Sequence, residues 1–444
     1  MRALLILNIA AMAFASDAAV ETTLPLSLKR AVEIALAPEG SPRVALAQES
    51  IQQAQARKLE SRAAFLPDIE SSVSEQRETV NLKTFGFNFT SPLVPGFTFP
   101  SIVGPFSVFD ARATASETVF DFSSIKKYQG AKVEIEAAKS DFDATKNQVA
   151  DQVARAYLTT LRAQAALDTA RADVELSQAL LTLAQQQKDA GSGTGLDVTR
   201  AEVQLANDKQ KLVASANDRR RAGLNLMRAM GLKLDTAIEL TDKLEYRPSD
   251  LGTIEDALAD ARKLRAELKA QKDRELSARL NYASVKAERF PSLAASANYG
   301  SIGPELIGAQ PTYDYGLSLR VPVWDGGRRD ARREESLSQY RQEKTRTRDL
   351  EQQVELDVRL AFDSIASAAT EVATARDGGD LSEKELAQAK RRYQGGVANS
   401  LEVTDAQTRL DRARDNLIIA LYDYNVARID LATATGKIQE YVNQ

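Results

Sequence analysis

The sequence predicts a mainly α-helical protein with a small β part, built from one structural unit written twice in tandem. Three observations carry this. Proline is absent from residues 106–247 and again after Pro322, and both stretches are dominated by Ala, Leu, Gln, Glu, Lys and Arg, which favour helix. Apolar residues there recur at steps of four and three, the seam of a coiled coil. The second half then repeats the first at a nearly constant offset. Each copy reads as helix, strand, strand, long helix, turn, returning helix, so the chain carries long antiparallel coiled-coil helices and four strands.

The seam of the second copy, Val354, Val358, Ala361, Ile365, Ala368 and Val372, falls about 205 residues after Val149, Val153, Ala156, Thr160, Ala163 and Leu167. The same shift of about 205 lays Gly191 to Val198 on Gly396 to Val403 and Gly231 on Gly436. Upstream, Phe65-Leu66-Pro67 matches Arg289-Phe290-Pro291 at about 224, so the first copy carries about 20 extra residues before Asp121. They fall around Phe85 to Phe106, a stretch rich in Phe and Pro. Its place and apolar content suggest a hairpin tip on the outer face that covers a mouth or meets a partner; a loop packed on neighbouring chains is the plainer reading.

The N-terminus is expected to be an export signal over 1–15: Met1-Arg2, the apolar run from Ala3 to Ala13, and Ala13-Phe14-Ala15 as a cleavage site. The first repeat is then 16–240, with a helix, a β-hairpin at 67–121, a long helix at 123–190, a tip turn at 191–195 and a return helix at 196–230. Residues 241–253 form a linker. The second repeat, 254–444, has a helix, a hairpin at 291–325, a long helix at 328–394, a turn at 395–400 and a return helix at 401–436. Gly378-Gly379 threatens to break the second long helix, and Asp380 with Glu383 resembles a capping box that would restart it.

The chain has 444 residues, 43% of them hydrophobic, a net charge of −4, and neither cysteine nor histidine. Disulfides, thiolate chemistry and attachment through an acylated cysteine are excluded. The commonest general base and most zinc sites go with histidine, which weighs against an enzyme. Mixed charges leave no basic footprint for nucleic acid. No cofactor or metal is implied.

Around Tyr313, Tyr315, Leu317, Leu319, Val321 and Val323 the period becomes two, with Asp314, Gly316, Ser318 and Arg320 between them. This fits a strand with one face toward lipid and one toward water, or a half-buried strand of a soluble hairpin. If the strands span a membrane, four cannot close a barrel and several chains must pool them; three chains would give about 12. The long helices would extend about 100 Å each, as a tube or a solid rod would require. Phe109, Phe120, Phe122, Tyr299, Tyr313 and Trp324 cluster at strand ends, where an interfacial girdle and ordinary packing are both open.

Glycine and small residues in the turns suit tight reversal, and Asp197, Ser400 or Glu402 would favour the positive end of a returning helix. Turn chemistry alone could explain these motifs.

Together the motifs resemble the TolC-like outer-membrane efflux proteins, or outer membrane factors, nearly end to end. Leu26 to Leu36 looks like the family's opening helix. Leu66-Pro67, Phe290-Pro291 and Val321-Pro322-Val323-Trp324-Asp325-Gly326-Gly327-Arg328 look like its entries to and exit from the barrel. Tyr393 to Gln407 is similar to its signature turn, with Gly191 to Ala201 the weaker partner.

The resemblance implies a homotrimer with a 12-stranded barrel in outer-membrane lipid and a helical tunnel through the periplasm. It implies a passive conduit for efflux or type I secretion, docked to a periplasmic adaptor and through it to an inner-membrane pump. Gly191, Gly193, Gly195, Leu196, Gly395, Gly396, Ser400 and Leu401 would form the docking turns. Asp197 and Tyr393 would bond each other to hold the tip closed, and Glu402 with Asp405 would make a six-carboxylate ring in the trimer. A basic residue that often completes the lock is replaced by Ala398. Pro67, Pro291, Pro322, Trp324, Gly326 and Gly327 would shape the barrel base. A periplasmic coiled-coil adaptor or scaffold is the rival reading; it would lack two equivalent barrel hairpins.

Overall fold

The structure, a computed structural model, describes residues 24–86, 100–248 and 252–443. The expected signal segment therefore lies outside the described residues, as do 87–99 of the Phe/Pro-rich stretch.

The first repeat runs β1 (Leu24–Leu26), α1 (Leu28–Leu36), α2 (Pro42–Ala63), β2 (Asp68–Asn81), β3 (Ile102–Phe120), α3 (Phe122–Asp189) and α4 (Gly195–Met230). The second runs β4 (Ile238–Leu240), α5 (Ile254–Leu264), α6 (Ala266–Ala287), β5 (Ser292–Gly303), β6 (Gln310–Arg320), α7 (Arg328–Gln394) and α8 (Ser400–Ala434), closed by α9 (Ile438–Asn443). The opening helix expected from Leu26 begins instead at Leu28. Leu26 ends β1, and the Ser27 hydroxyl caps the helix by accepting from Arg30 N at 3.2 Å. The single helix expected before each hairpin is also two: Pro38, Gly40 and Pro42 divide α1 from α2, and Arg265 divides α5 from α6.

The two copies interlock. β1 pairs in parallel with β4, from Leu24 opposite Ile238 to Leu26 opposite Leu240. The α1, α3, α4, α8 and α9 helices meet in one core around Tyr157, Leu226, Met230, Ile429 and Ile438. The buried Tyr157 hydroxyl lies 2.9 Å from Leu26 O and 2.8 Å from Asp242 Oδ2, and Asp242 also accepts from Leu28 N at 2.8 Å. The linker is pinned: Tyr246 rests on the Tyr424 ring, the Tyr424 hydroxyl donates to Arg247 O at 2.8 Å, and Asn425 Nδ2 donates to Glu245 O at 3.0 Å.

The glycines that match between copies, Gly231 and Gly436, end α4 and α8 with φ of 76° and 77°. A Cβ at Gly231 would stand 2.5 Å from Gly40 O, and one at Gly436 would stand 2.9 Å from Leu264 C. Each return helix therefore crosses the elbow of its own copy at a point where only glycine fits.

The 68 residues of α3 and 67 of α7 are continuous, each about 100 Å long at 1.5 Å per residue. Gly378 and Gly379 lie inside α7 without a break. No capping box forms there, and Glu383 points instead to Arg414 of α8, 3.6 Å away.

The four long strands form one antiparallel sheet in the order β2-β3-β5-β6. Register puts Ile69 and Val73, Ala111, Ala113 and Ala115, Ala295, Ala297 and Tyr299, and Tyr313, Tyr315, Leu317 and Leu319 on one face. Glu75 and Glu117 interrupt this face toward its ends. The other carries Ser72 and Ser74, Asp110, Arg112 and Thr114, Ser296 and Asn298, and Asp314, Ser318 and Arg320. Within one chain, Tyr315 and Leu317 are 78% and 73% exposed. Among the described residues nothing covers the apolar face. The C-terminal end of the first-copy extension is already strand: Ile102 and Val103 pair with Asn81 and Val80, and Phe106 with Glu78.

Candidate functional site

At one end of the molecule the two long hairpins reverse within a few residues of each other. After α3, Gly191 takes φ 75° and Ser192 N donates to Gln187 O at 2.9 Å; after α7, Gly396 takes φ 71° and Val397 N donates to Arg392 O at 3.0 Å. Both are glycine-terminated helix ends in which a left-handed residue returns the chain to the last free carbonyls. Gly193 N also donates to Gln187 O at 2.9 Å, Gly195 opens α4, and Gly395 caps α7.

Thr194 then caps α4 in a reciprocal box: Asp197 N donates to Thr194 Oγ1 at 3.3 Å, and Thr194 N donates to Asp197 Oδ2 at 3.0 Å. Asn399 caps α8 by accepting from Glu402 N at 3.2 Å. Leu196, Val397 and Leu401 stand exposed around the turns.

The turns are tied together. Ser400, buried, donates its hydroxyl to Asp197 Oδ1, and Gln187 Nε2 donates to Tyr393 O at 2.9 Å. Hydrogen bonds from Ser400 and then Thr194 hold the Asp197 carboxyl below its ordinary pKa, against the opposing effect of burial. The expected bond between Asp197 and Tyr393 is not made. Both residues line one small polar cavity with Ser177, Gln204 and Gln407, but among the described residues the buried Tyr393 hydroxyl has no hydrogen-bond partner. The Asp197 oxygens accept instead from Ser400 and Thr194. Burial and the Asp197 charge together push the Tyr393 pKa up.

Glu402 and Asp405 lie in the first turns of α8, with Asp405 exposed and Glu402 half-buried and paired to Arg392 at 2.9 Å. Sequence reasoning missed Arg392, Gln187 and the Thr194 and Asn399 caps. Thr194-x-x-Asp197 was readable as a capping box; the cross-hairpin partners depend on the packing of segments some 200 residues apart.

At the other end, Pro67 and Pro291 stand immediately before β2 and β5, where they keep α2 and α6 from running on. Pro322 and Trp324 lie in the exposed link from β6 to α7; Trp324 is 85% exposed. Gly326 and Gly327 take φ of 71° and 86° as the chain turns into α7. Asp121 caps α3 through Ser123 N at 3.1 Å and Ser124 N at 3.0 Å, and its counterpart Asp325 accepts from Arg329 N at 3.1 Å. Phe122 meets Phe120 edge-on and Phe290 at a tilt, with centroids 4.7 and 5.5 Å apart.

A duplicated helical hairpin with a four-stranded antiparallel sheet at one end and paired turns at the other is the architecture of outer-membrane channel subunits. The outer membrane efflux protein family model matches residues 34–232 and 257–437, and the chain belongs to that family. It is 23% identical over 255 residues to the outer membrane efflux protein BepC of Brucella suis, covering 57% of this chain and 56% of that protein. It is 26% identical over 300 residues to SepC of Pseudomonas putida, a probable efflux pump outer membrane protein, covering 64% of this chain and 60% of that one. These matches thus span less than two thirds of either relative. The fold superposes on the CmeC outer membrane channel of Campylobacter jejuni with a TM-score of 0.79 at 14% identity, over 92% of this chain and 85% of that one.

Proposed function

We propose that three copies of this chain close a 12-stranded barrel in the outer membrane and form a passive export channel, gated where the hairpins turn. The observation that carries the reading is the sheet. Its two edge strands, β2 and β6, are unpaired within the chain and run in opposite directions, so β6 of one copy can continue the antiparallel order onto β2 of the next. Edges cannot stay open in lipid, where each unmade backbone bond costs several kcal/mol.

The alternation of faces supports the same assembly: apolar residues outward to lipid, Asp110, Arg112, Asp314 and Arg320 inward to water. A periplasmic scaffold would leave Tyr313, Tyr315, Leu317 and Leu319 in water, forgoing about 2 kcal/mol of burial apiece. The exposed turn residues Leu196, Val397 and Leu401 suit docking of a periplasmic adaptor that links the channel to an inner-membrane pump. The acidic pair Glu402 and Asp405, repeated by symmetry, favours cations at the constriction.

Because the chain has no cysteine, one engineered cysteine on each edge strand reports the barrel closure cleanly. Cysteines placed at Ser72 or Ser74 on β2 and at Thr312 or Ser318 on β6 should give oxidised trimers on a denaturing gel, from a protein that fractionates with the outer membrane. Monomers at every pairing, or a soluble periplasmic product, would reject the channel.

A further inference from the structure

Midway between tip and body the coiled-coil seam changes character. The tip packs around Leu180, Leu386, Tyr393, Val403 and Leu410, and higher up Ile365, Val372, Ala420 and Tyr424 form a second apolar cluster. Between them, and reaching into the tip cluster at Gln407, inward positions are polar. Asp173 and Ser177 of α3, Asp208 of α4 and Gln407 of α8 are each at most 4% exposed.

They bond across and along helices. Ser177 donates to Asp208, Gln407 Nε2 donates to Ser177 Oγ at 2.6 Å, Gln204 Nε2 donates to Asp208 Oδ1 at 3.1 Å, and Arg414 Nη1 donates to Asp173 Oδ1 at 3.1 Å. Lys211 stands 3.6 Å from Asp173 Oδ2 and 3.1 Å from Asp415. In this layer two buried oxygens still lack a hydrogen-bond partner among the described residues: Asp173 Oδ2 and Asp411 Oδ1.

The charges do not balance. Asp173 from α3, Asp208 from α4 and Asp411 from α8 face Lys211 from α4 and Arg414 from α8, and each cation is shared with a rim carboxylate, Asp415 of α8 or Glu383 of α7. A surplus negative charge out of water is costly, and one proton removes it. Burial first, then the charges of Asp173 and Asp208, raise the Asp411 pKa to about 7, although Lys211 and Arg414 pull the other way. Burial raises Asp173 as well.

Gly378-Gly379 lies at this level. It falls between Val372 of the upper cluster and Leu386 of the tip cluster, little more than a turn from Glu383, the partner of Arg414. A Cβ at either glycine would meet nothing within 4 Å, so packing does not call for glycine here. Two mid-helix glycines each cost about 1 kcal/mol relative to alanine and are a recognised place for helices to bend.

We propose that this polar layer is a site for a single proton, and that the bound proton keeps α7 straight at Gly378-Gly379 and the tip rigid with the body. Losing the proton sets Asp411 against Asp173 and Asp208, loosens the layer and frees the tip to swing about the glycine pair. A carboxyl whose folded pKa lies above its unfolded value of about 4 favours the packed state at low pH, and that support is lost as pH rises through about 7. The link to gating rests on the channel reading above; the proton site itself does not.

The test is hydrogen exchange of the full-length trimer in lipid, comparing tip peptides with the body between pH 6 and pH 8 after correction for intrinsic rates. Wild type should lose about tenfold in tip protection across that step, through local opening. Asp411→Asn should keep the pH 6 protection at pH 8. Gly378→Ala with Gly379→Ala should shrink the step without moving its midpoint. Glu402→Gln with Asp405→Asn, at the turn itself, should leave it intact.

A flat wild-type profile, an unchanged step in Asp411→Asn, or a step abolished by the Glu402 and Asp405 changes would overturn the proposal. Bilayer conductance separates the two readings: a step in exchange from a protein that never conducts upholds the proton site and rejects the channel. A conducting channel without the step rejects only the proton site.

Discussion

The Ser400 hydroxyl donates a hydrogen bond to Asp197 across the two tip turns and so joins the first turn of α8 to the first turn of α4. The carboxylate also completes the Thr194 cap, so one side chain both ends a helix and clasps its neighbour. Ser400→Ala should leave the cap in place and remove the clasp. A hydrogen bond to a charged group is worth about 1.5 kcal/mol at the lower end, so the closed tip should weaken by about tenfold. Single-channel recording should show longer openings, and Asp197→Asn should add little to the Ser400→Ala effect. The Asp197 pKa is depressed, so its contribution is present above the ordinary carboxylate range and is lost as pH falls through the folded value. Acid below the ordinary carboxylate range should therefore reproduce the Ser400→Ala phenotype.

Tyr393→Phe should be close to neutral. Among the described residues the buried hydroxyl has no partner, so removing it relieves a desolvated group, whereas breaking a made bond to the Asp197 carboxylate would cost about 1.5 kcal/mol or more. Thermal denaturation of the trimer distinguishes them: a melting temperature equal to or above wild type agrees with the unpartnered hydroxyl, and a clear drop restores the lock inferred from sequence.

Arg392 partly neutralises Glu402, whereas Asp405 has no ion pair among the described residues. Arg392→Gln should increase cation preference, and Glu402→Gln with Asp405→Asn should reduce it. The reversal potential under a salt gradient reads both, and shifts of the same sign would count against a carboxylate-lined constriction.

Much of this molecule is local in origin and was legible for that reason. Proline-free stretches, the four-three seam and the matched Gly191 and Gly396 turns depend on neighbours within a few residues, and their boundaries follow from such rules. The alternation on β6 likewise revealed which face is apolar. Contacts between hairpins were not legible, because Ser400 and Asp197, or Arg414 and Asp173, meet only through the superposition of four helices. Asp173, Asp208 and Gln407 left a trace as polar residues at seam positions, but a seam polar residue looks the same in sequence whether it faces a partner or water. Gly378-Gly379 misled for the opposite reason: helix propensity is a local cost of about 1 kcal/mol per glycine, and 67 residues of continuous packing override it.

The matched glycines make a contrasting prediction. Gly231→Ala must hold φ near 76° and place Cβ against Gly40 O, and Gly436→Ala meets the backbone at Leu264. Neither backbone neighbour is a flexible side chain that could move aside. Each substitution should cost about 2 kcal/mol or more, seen as lost trimer yield or a lower melting temperature. Gly378→Ala, with open space and helical backbone, should stabilise by about 1 kcal/mol.

Leu317 and Ser318 are adjacent on β6 and face opposite sides of the sheet, paired with Ala295 and Ala294 respectively. If the apolar face meets lipid, Leu317→Arg places a charge in hydrocarbon, at a cost of about 2–4 kcal/mol per copy, and threefold symmetry multiplies it. Ser318→Arg puts the same charge into the aqueous lumen beside Arg320 and Asp314, where it stays hydrated. The first should block membrane assembly, and the second should assemble normally and lower cation conductance. A soluble scaffold inverts neither outcome but flattens the contrast, since arginine on an open, water-exposed face costs little at either position. Outer-membrane yield of the two variants side by side therefore tests which face meets lipid, independently of any recording.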